Sequence, residues 1–148
     1  MEPITILCDI DGTLLKHEES LVKVMSGDPI EILDGSCSKL LDWHKKGYRV
    51  ILITGRPESL RCSTEKQLAA CGLLYDQLVM GLGPAPRVLI NDMKPDGTLT
   101  GFGLSIERNM GIKQIDLEDL VFNQDLHDQF PKFEDRWNMV ELNEKTRS

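Results

Sequence analysis

The stretch Ile6-Leu7-Cys8-Asp9-Ile10-Asp11-Gly12-Thr13-Leu14-Leu15 ends an apolar run with two carboxylates one residue apart. Residues 4 to 10 are short, apolar and rich in β-branched side chains, the pattern of a buried strand. Carboxylates repel each other and resist desolvation. A chain that sets two of them where a buried strand surfaces must compensate them with something.

Working outward, the same β-type pattern returns at Tyr48–Ile53 ("YRVILI"), Gln77–Met80 and Arg87–Ile90 ("RVLI"). Between the first two runs, Asp34 can cap a helix whose positions Cys37, Leu40, Leu41 and His44 follow the 3.6 period, with Gly47 as its stop. After Thr54-Gly55-Arg56-Pro57, Pro57 suits the first helical position, and Leu60, Thr64, Leu68 and Cys71 form one stripe before Gly72. Asp96-Gly97 marks a tight turn, a hairpin into Leu99–Ile106. Strands alternating with helices predict an α/β fold, a three-layer Rossmann-like core with a parallel sheet and helices on both faces.

In such a sheet the carboxyl ends of the strands line one crevice, where ligands bind. Asp9 with Asp11, Thr54, and Asn91 with Asp92 each follow a predicted strand, so three distant segments converge there. Carboxylates gathered in one crevice suit a hard divalent cation such as Mg²⁺, which takes oxygen ligands. The cation would compensate the repulsion. A carboxylate can also act as a nucleophile on phosphorus. Thr54 and the backbone N–H groups of Gly55 and Arg56 can align and neutralise phosphoryl oxygens.

Asp9-Ile10-Asp11-Gly12-Thr13-Leu14 resembles motif I of the haloacid dehalogenase (HAD) superfamily, DxDGT after an apolar strand. "ILITGR" resembles its motif II and "VLIND" its motif IV, so the likeness covers about residues 4 to 115. The resemblance implies a Mg²⁺-dependent phosphatase that works through an aspartyl-phosphate. Asp9 would be the nucleophile, Asp11 the acid/base, and Thr54 the phosphoryl-binding hydroxyl. Mg²⁺ would be held by the Asp9 side chain, the Asp11 backbone carbonyl and Asp92. Asp11, two residues after the nucleophile, favours phosphatase over dehalogenase.

The chain departs from the pattern in two places. Asn91 stands where a first motif IV acid is common, and "MGLGPAPR" offers no motif III Lys. Lys94, on the crevice side of its loop, is the first choice for that cation. Arg87, which begins a predicted strand, and Lys66 on the helix after motif II are the others. Arg56 and Arg108 are candidate contacts for a substrate anion, each weighed against a plain surface charge.

The segments where such enzymes carry caps are short, about residues 14 to 33 and 81 to 86, so no separate cap domain is expected, only a flap. The catalytic core is expected over 1–115, followed by an acidic segment, 116–148, packed on it or partly ordered. Nine acids against four bases place −5 of the net −7 charge in that segment. This balance argues against broad nucleic-acid binding. No run reaches the ~20 apolar residues of a membrane span, and the N-terminus does not read as a signal peptide, so a cytoplasmic protein is expected.

Cys8, Cys37, Cys62 and Cys71 have no metal-ligand spacing and read as buried reduced thiols. No cysteine is followed six positions later by Arg, and no P-loop occurs, which excludes two other phosphate chemistries. The expected substrate is a phosphorylated small molecule or sugar phosphate, with a homo-oligomer as one way to lid the open crevice. The alternatives are a non-catalytic phosphate-binding or regulatory module, or a phosphotransferase.

Overall fold

The computed structural model describes residues 2–123. They fall in two compact units: residues 2–88 with Gly103–Ile115, and Leu89–Phe102 with residues 116–123.

The first unit is built on three parallel strands, β1 (Thr5–Asp9), β2 (Arg49–Ile53) and β3 (Gln77–Val79), in that order across the sheet. The register aligns Cys8, Leu52 and Leu78 in one row across the sheet, and Asp9, Ile53 and Val79 in the next. Helix α1 (Leu21–Ser26) and helix α2 (Ser36–Lys45) lie between β1 and β2. A 3-10 turn (Glu58–Leu60) and helix α3 (Arg61–Ala70) connect β2 to β3.

Both crossovers run the same way along the sheet, so right-handed connections put α2 and α3 on one face rather than dividing them between two. That face carries Cys8, Val50 and Leu52, all buried. The opposite face carries Leu7, 49% exposed, and Val79, 39% exposed.

Local chemistry sets the helix ends. Helix α2 starts after Gly35, not at an Asp34 cap: Gly35 sits at φ 82° with Lys113 backbone packed where a Cβ would be. Its inward stripe is Ser36, Leu40 and Trp43, with Leu41 43% exposed, one step round the helix from the stripe expected. On α3 the buried residues are Thr64, Gln67 and Leu68. Pro57 precedes the 3-10 turn rather than the α-helix. Truncating a fully buried Leu40, Leu52 or Leu68 to Ala is worth about 2–5 kcal/mol. Only Cys8 and Cys71 are buried; Cys37 and Cys62 are exposed, and all four are free thiols.

The "RVLI" run is not a fourth strand. Val88 and Ile90 are 84% and 90% exposed, and among the described residues the sheet has three strands. An apolar run becomes a strand only where a neighbour accepts its hydrogen bonds, and local pattern does not specify one. In the second unit the Asp96-Gly97 turn forms as expected. The Lys94 N–H donates to the Thr98 carbonyl at 3.0 Å, and Met93 bridges Leu99 antiparallel. Helix α4 (Leu117–Phe122) is capped by Asp116, whose side chain accepts from the Asp119 N–H at 3.0 Å. The rest of the expected acidic segment, from residue 124, lies outside the described residues.

No separate cap domain occurs among the described residues. Residues 14–33 instead form a flap. Its stem pairs Leu15 with Ile32, the Lys16 N–H donates to the Glu31 carbonyl at 2.9 Å, and its far end carries α1. No helix of the described residues is long and apolar enough to cross a membrane.

Candidate active site

β1 ends at Asp9, and the chain turns at once. The Thr13, Leu14 and Leu15 N–H groups all converge on the Ile10 carbonyl, at 3.2, 2.9 and 3.1 Å. Gly12 makes the turn at φ 85°, a conformation that L side chains seldom take. Helix α2 braces the loop from below through the Ser36 hydroxyl, which donates to the Leu14 carbonyl at 2.7 Å. Segment 103–115 braces it from the side, with the Asn109 N–H donating to the Gly12 carbonyl at 2.8 Å and Arg108 Cγ lying against Gly12.

The two carboxylates have different neighbours. Asp11 receives a bidentate guanidinium: Arg56 Nε and Nη2 donate to its two oxygens at 3.0 and 2.7 Å. Arg56 is 7% exposed, and its remaining nitrogen donates to Gln67 Oε1 at 2.8 Å and Thr64 Oγ1 at 3.3 Å. Charge-assisted fork pairs of this kind are among the strongest protein hydrogen bonds.

Asp9 is held loosely. The Thr13 hydroxyl donates to it at 3.4 Å, and Arg87 Nη2 stands 4.0 Å from Oδ1, too far for a hydrogen bond. Burial pushes the Asp9 carboxyl above its ordinary value of 3.8. The Arg87 charge and the Ile10 N–H oppose that rise, while Asp11 adds to it. Compensation for the carboxylate pair therefore comes from two arginines, each assigned to one acid.

Thr54 lies at the end of β2, 1% exposed, where the sequence places it beside this loop. Its Oγ1 accepts from the Arg56 N–H at 3.1 Å, so the hydroxyl also shapes the turn that aims Arg56. Gly55 is required for close approach, because a Cβ there would stand 2.5 Å from the Gly83 carbonyl oxygen. Arg56, expected to touch a substrate anion, is occupied by Asp11 instead.

Among the three motif III candidates, Arg87 faces Asp9. The reading that put it at the far end of a strand fails because residues 87–90 form no strand. Lys66 lies beside Gly27, at the end of α1. Lys94 and Asp92 belong to the second unit. There the Thr100 hydroxyl bonds Asp92, and Asn91 Nδ2 donates to Thr100 Oγ1 at 2.7 Å.

Sequence reasoning missed Gln67. A glutamine on the inward stripe of a helix, three residues after Thr64 and next to Leu68, must find buried partners, and that was the available signal. Among the described residues no three His, Cys, Asp or Glu side chains form a group suited to a metal. Within the first unit the ligands implied by the resemblance, the Asp9 carboxylate and the Asp11 carbonyl, are hard oxygens, the donor chemistry of Mg²⁺.

No curated protein matches the chain. Among solved structures, a structural-genomics target from Vibrio cholerae aligns over 82% of this chain and 98% of its own, with a TM-score of 0.52 and 16% identity, a likeness of fold. A chain of the Pnkp1/Rnl/Hen1 RNA repair complex is 33% identical over 53% of this chain and 25% of its own, at a TM-score of 0.46. The D,D-heptose 1.7-bisphosphate phosphatase from B. bronchiseptica, complexed with magnesium and phosphate, is 24% identical over 55% of this chain and 51% of its own, at a TM-score of 0.41. The chain thus spans between a quarter and about half of the length of these last two proteins. The fold is the α/β class with a parallel sheet expected from the sequence. The family described as "PITM 1-3, LNS2 domain" matches residues 6–85, more than half of the chain, and the chain belongs to that LNS2 domain family.

Proposed function

We propose that the chain is a HAD-like phosphomonoester hydrolase acting on a phosphorylated small molecule or sugar phosphate. One observation carries this reading: the half-buried Asp9 carboxylate, at the end of β1, lies outside the clamp that holds Asp11 and has the Arg87 guanidinium 4.0 Å from its Oδ1. A nucleophile needs an unoccupied lone pair, and a transferring phosphoryl group needs a cation beside it.

In the proposed reaction an Asp9 oxygen attacks phosphorus and the bond to the leaving oxygen breaks. Asp11 gives that oxygen its proton. Water then attacks the aspartyl-phosphate, Asp11 takes the proton of the water, and inorganic phosphate departs. Arg87 neutralises phosphoryl oxygens, and the Thr54 hydroxyl and the Gly55 N–H orient them. The Asp9 side chain and the Asp11 carbonyl would hold Mg²⁺, which supplies charge neutralisation when bound. An aryl phosphate assay with Mg²⁺ tests the reading. Turnover lost in Asp9→Asn and on addition of EDTA supports it, and wild-type turnover in Asp9→Asn refutes it.

The Arg56 clamp favours a second reading, a module that binds phosphate without hydrolysing it. Both Asp11 oxygens already accept from the guanidinium, at 3.0 and 2.7 Å, whereas a general acid must turn one of them to the leaving oxygen. Each carboxylate oxygen keeps a second lone pair, so the clamp does not block proton transfer sterically. Protection of the fold by phosphate analogues, without turnover on a panel of phosphate esters, would select this reading.

A further inference from the structure

The Arg56 clamp is itself held, and the group that holds it reaches the flap. Gln67 on α3 is fully buried and uses both ends of its amide. Its Oε1 accepts from Arg56 Nη1 at 2.8 Å, and its Nε2 donates to the Asp28 carbonyl at 2.7 Å. Asp28 lies on the return limb of the flap, just after α1. The limb sits close on α3: a Cβ at Gly27 would meet the Ser63 carbonyl oxygen at 3.1 Å and Lys66 Cδ at 3.2 Å. α1 itself packs Val24 inward while Leu21, Val22 and Met25 stay more than 60% exposed, so the flap gains little apolar burial at its tip.

From this chain of contacts we propose that Gln67 is a positioning residue that couples the flap to the acid/base. The line runs from the Asp28 carbonyl through Gln67 and Arg56 to the Asp11 carboxylate, within one compact unit. Lifting the flap limb takes away the acceptor that fixes the Gln67 amide. The amide then no longer fixes Nη1, and the fork on Asp11 is free to turn. A seated flap thus gives Asp11 one orientation and an unseated flap gives it several. The consequence for Asp11 as proton donor rests on the hydrolase reading; the mechanical link does not.

Gln67→Met keeps the shape of the side chain and removes both hydrogen bonds. Proton donation matters most when the leaving group is poor. The variant should therefore lose about tenfold or more in kcat on an alkyl phosphate, stay within about twofold on p-nitrophenyl phosphate, and keep KM on both. A purely structural role for Gln67 would lower both substrates alike, and that result overturns the coupling.

A second measurement needs no turnover. Hydrogen exchange should show protected amides at residues 28–33 and a slowly exchanging Arg56 Nε–H in the wild type, with both faster in Gln67→Met. If the variant does not fold, the wild type still decides, since a fast-exchanging Arg56 Nε–H would overturn the relay. Should the wild type turn over neither substrate, the hydrolase reading falls, and the exchange data alone judge the link between flap and clamp.

Discussion

Asp9 and Asp11 stand one residue apart in the chain, yet their surroundings are opposite. Asp11 is gripped by a buried arginine through two short hydrogen bonds, and that arginine is gripped in turn by Gln67 and Thr64. Asp9 meets its arginine at 4.0 Å across a half-exposed gap. The first pair is locked into the fold, and the second is left open for the proposed attack on phosphorus. Where a charge is fully satisfied it contributes rigidity, and where it is left partly unsatisfied it keeps reactivity, at a cost in stability.

Asp9→Asn should break this contrast most sharply. On the hydrolase reading it lowers turnover by at least ~10³-fold. Its effect on stability has the opposite sign to that of an ordinary lost carboxylate. The Asp9 carboxyl is raised in the folded state above 3.8, chiefly by burial, so the folded protein binds its proton more tightly than the unfolded chain. Stability attached to this group is present below pH 3.8 and falls as pH rises through the raised value. At neutral pH the variant should therefore melt above the wild type, and near pH 3 the two should melt together in calorimetry. For the same reason the acid limb of the wild-type rate profile should lie above the ordinary carboxylate value.

Arg56→Met should do the reverse of Asp9→Asn. It leaves Asp11 partly buried without its partner and strands the Gln67 and Thr64 oxygens, a loss of about 3–5 kcal/mol in urea unfolding. Arg56→Lys should recover only part of this, because an ammonium cannot reproduce the fork. Arg87→Met should lower kcat by about 10²-fold while changing stability by less than ~0.5 kcal/mol. If Arg87→Met destabilises as much as Arg56→Met, the contrast between structural and reactive arginines is wrong. An intermediate loss of stability is expected for Gly55→Ala. The new methyl must push the Gly83 carbonyl away, at about 1–3 kcal/mol. The shift moves the loop leading to Arg87, so turnover should fall without any charge having changed.

Where several of the proposed site residues lie on the fold was legible before any coordinates. The DxDGT run placed Asp9 and Asp11 at the end of the first strand, and Gly12 takes the positive φ that such a turn requires. Thr54 and Arg56 lie at the end of β2 as the "ILITGR" run indicates. The turn at Asp96-Gly97 formed where the dipeptide stands, but only Met93 and Leu99 pair across it, and no strand runs over 99–106. The inner stripe of α2 was misread because Cys37 and Leu41 are apolar enough to imitate a core face, while the true face begins with Ser36, whose hydroxyl is used on the Leu14 carbonyl. "RVLI" was misread because its composition is that of a strand and its partner is not encoded beside it.

Hydrophobic period, glycine and turn dipeptides act over a few residues, so the sequence by itself determined the three strands, the alternation of strand and helix, and the loop that carries both aspartates. Which cation faces which aspartate was decided only by tertiary structure. The Arg56–Asp11 pair joins positions 45 apart, and Gln67 meets Asp28 across 39. An ion pair has no local period to read. It exists because packing of α3 against the sheet and the flap excludes water around one guanidinium and leaves the other in reach of solvent.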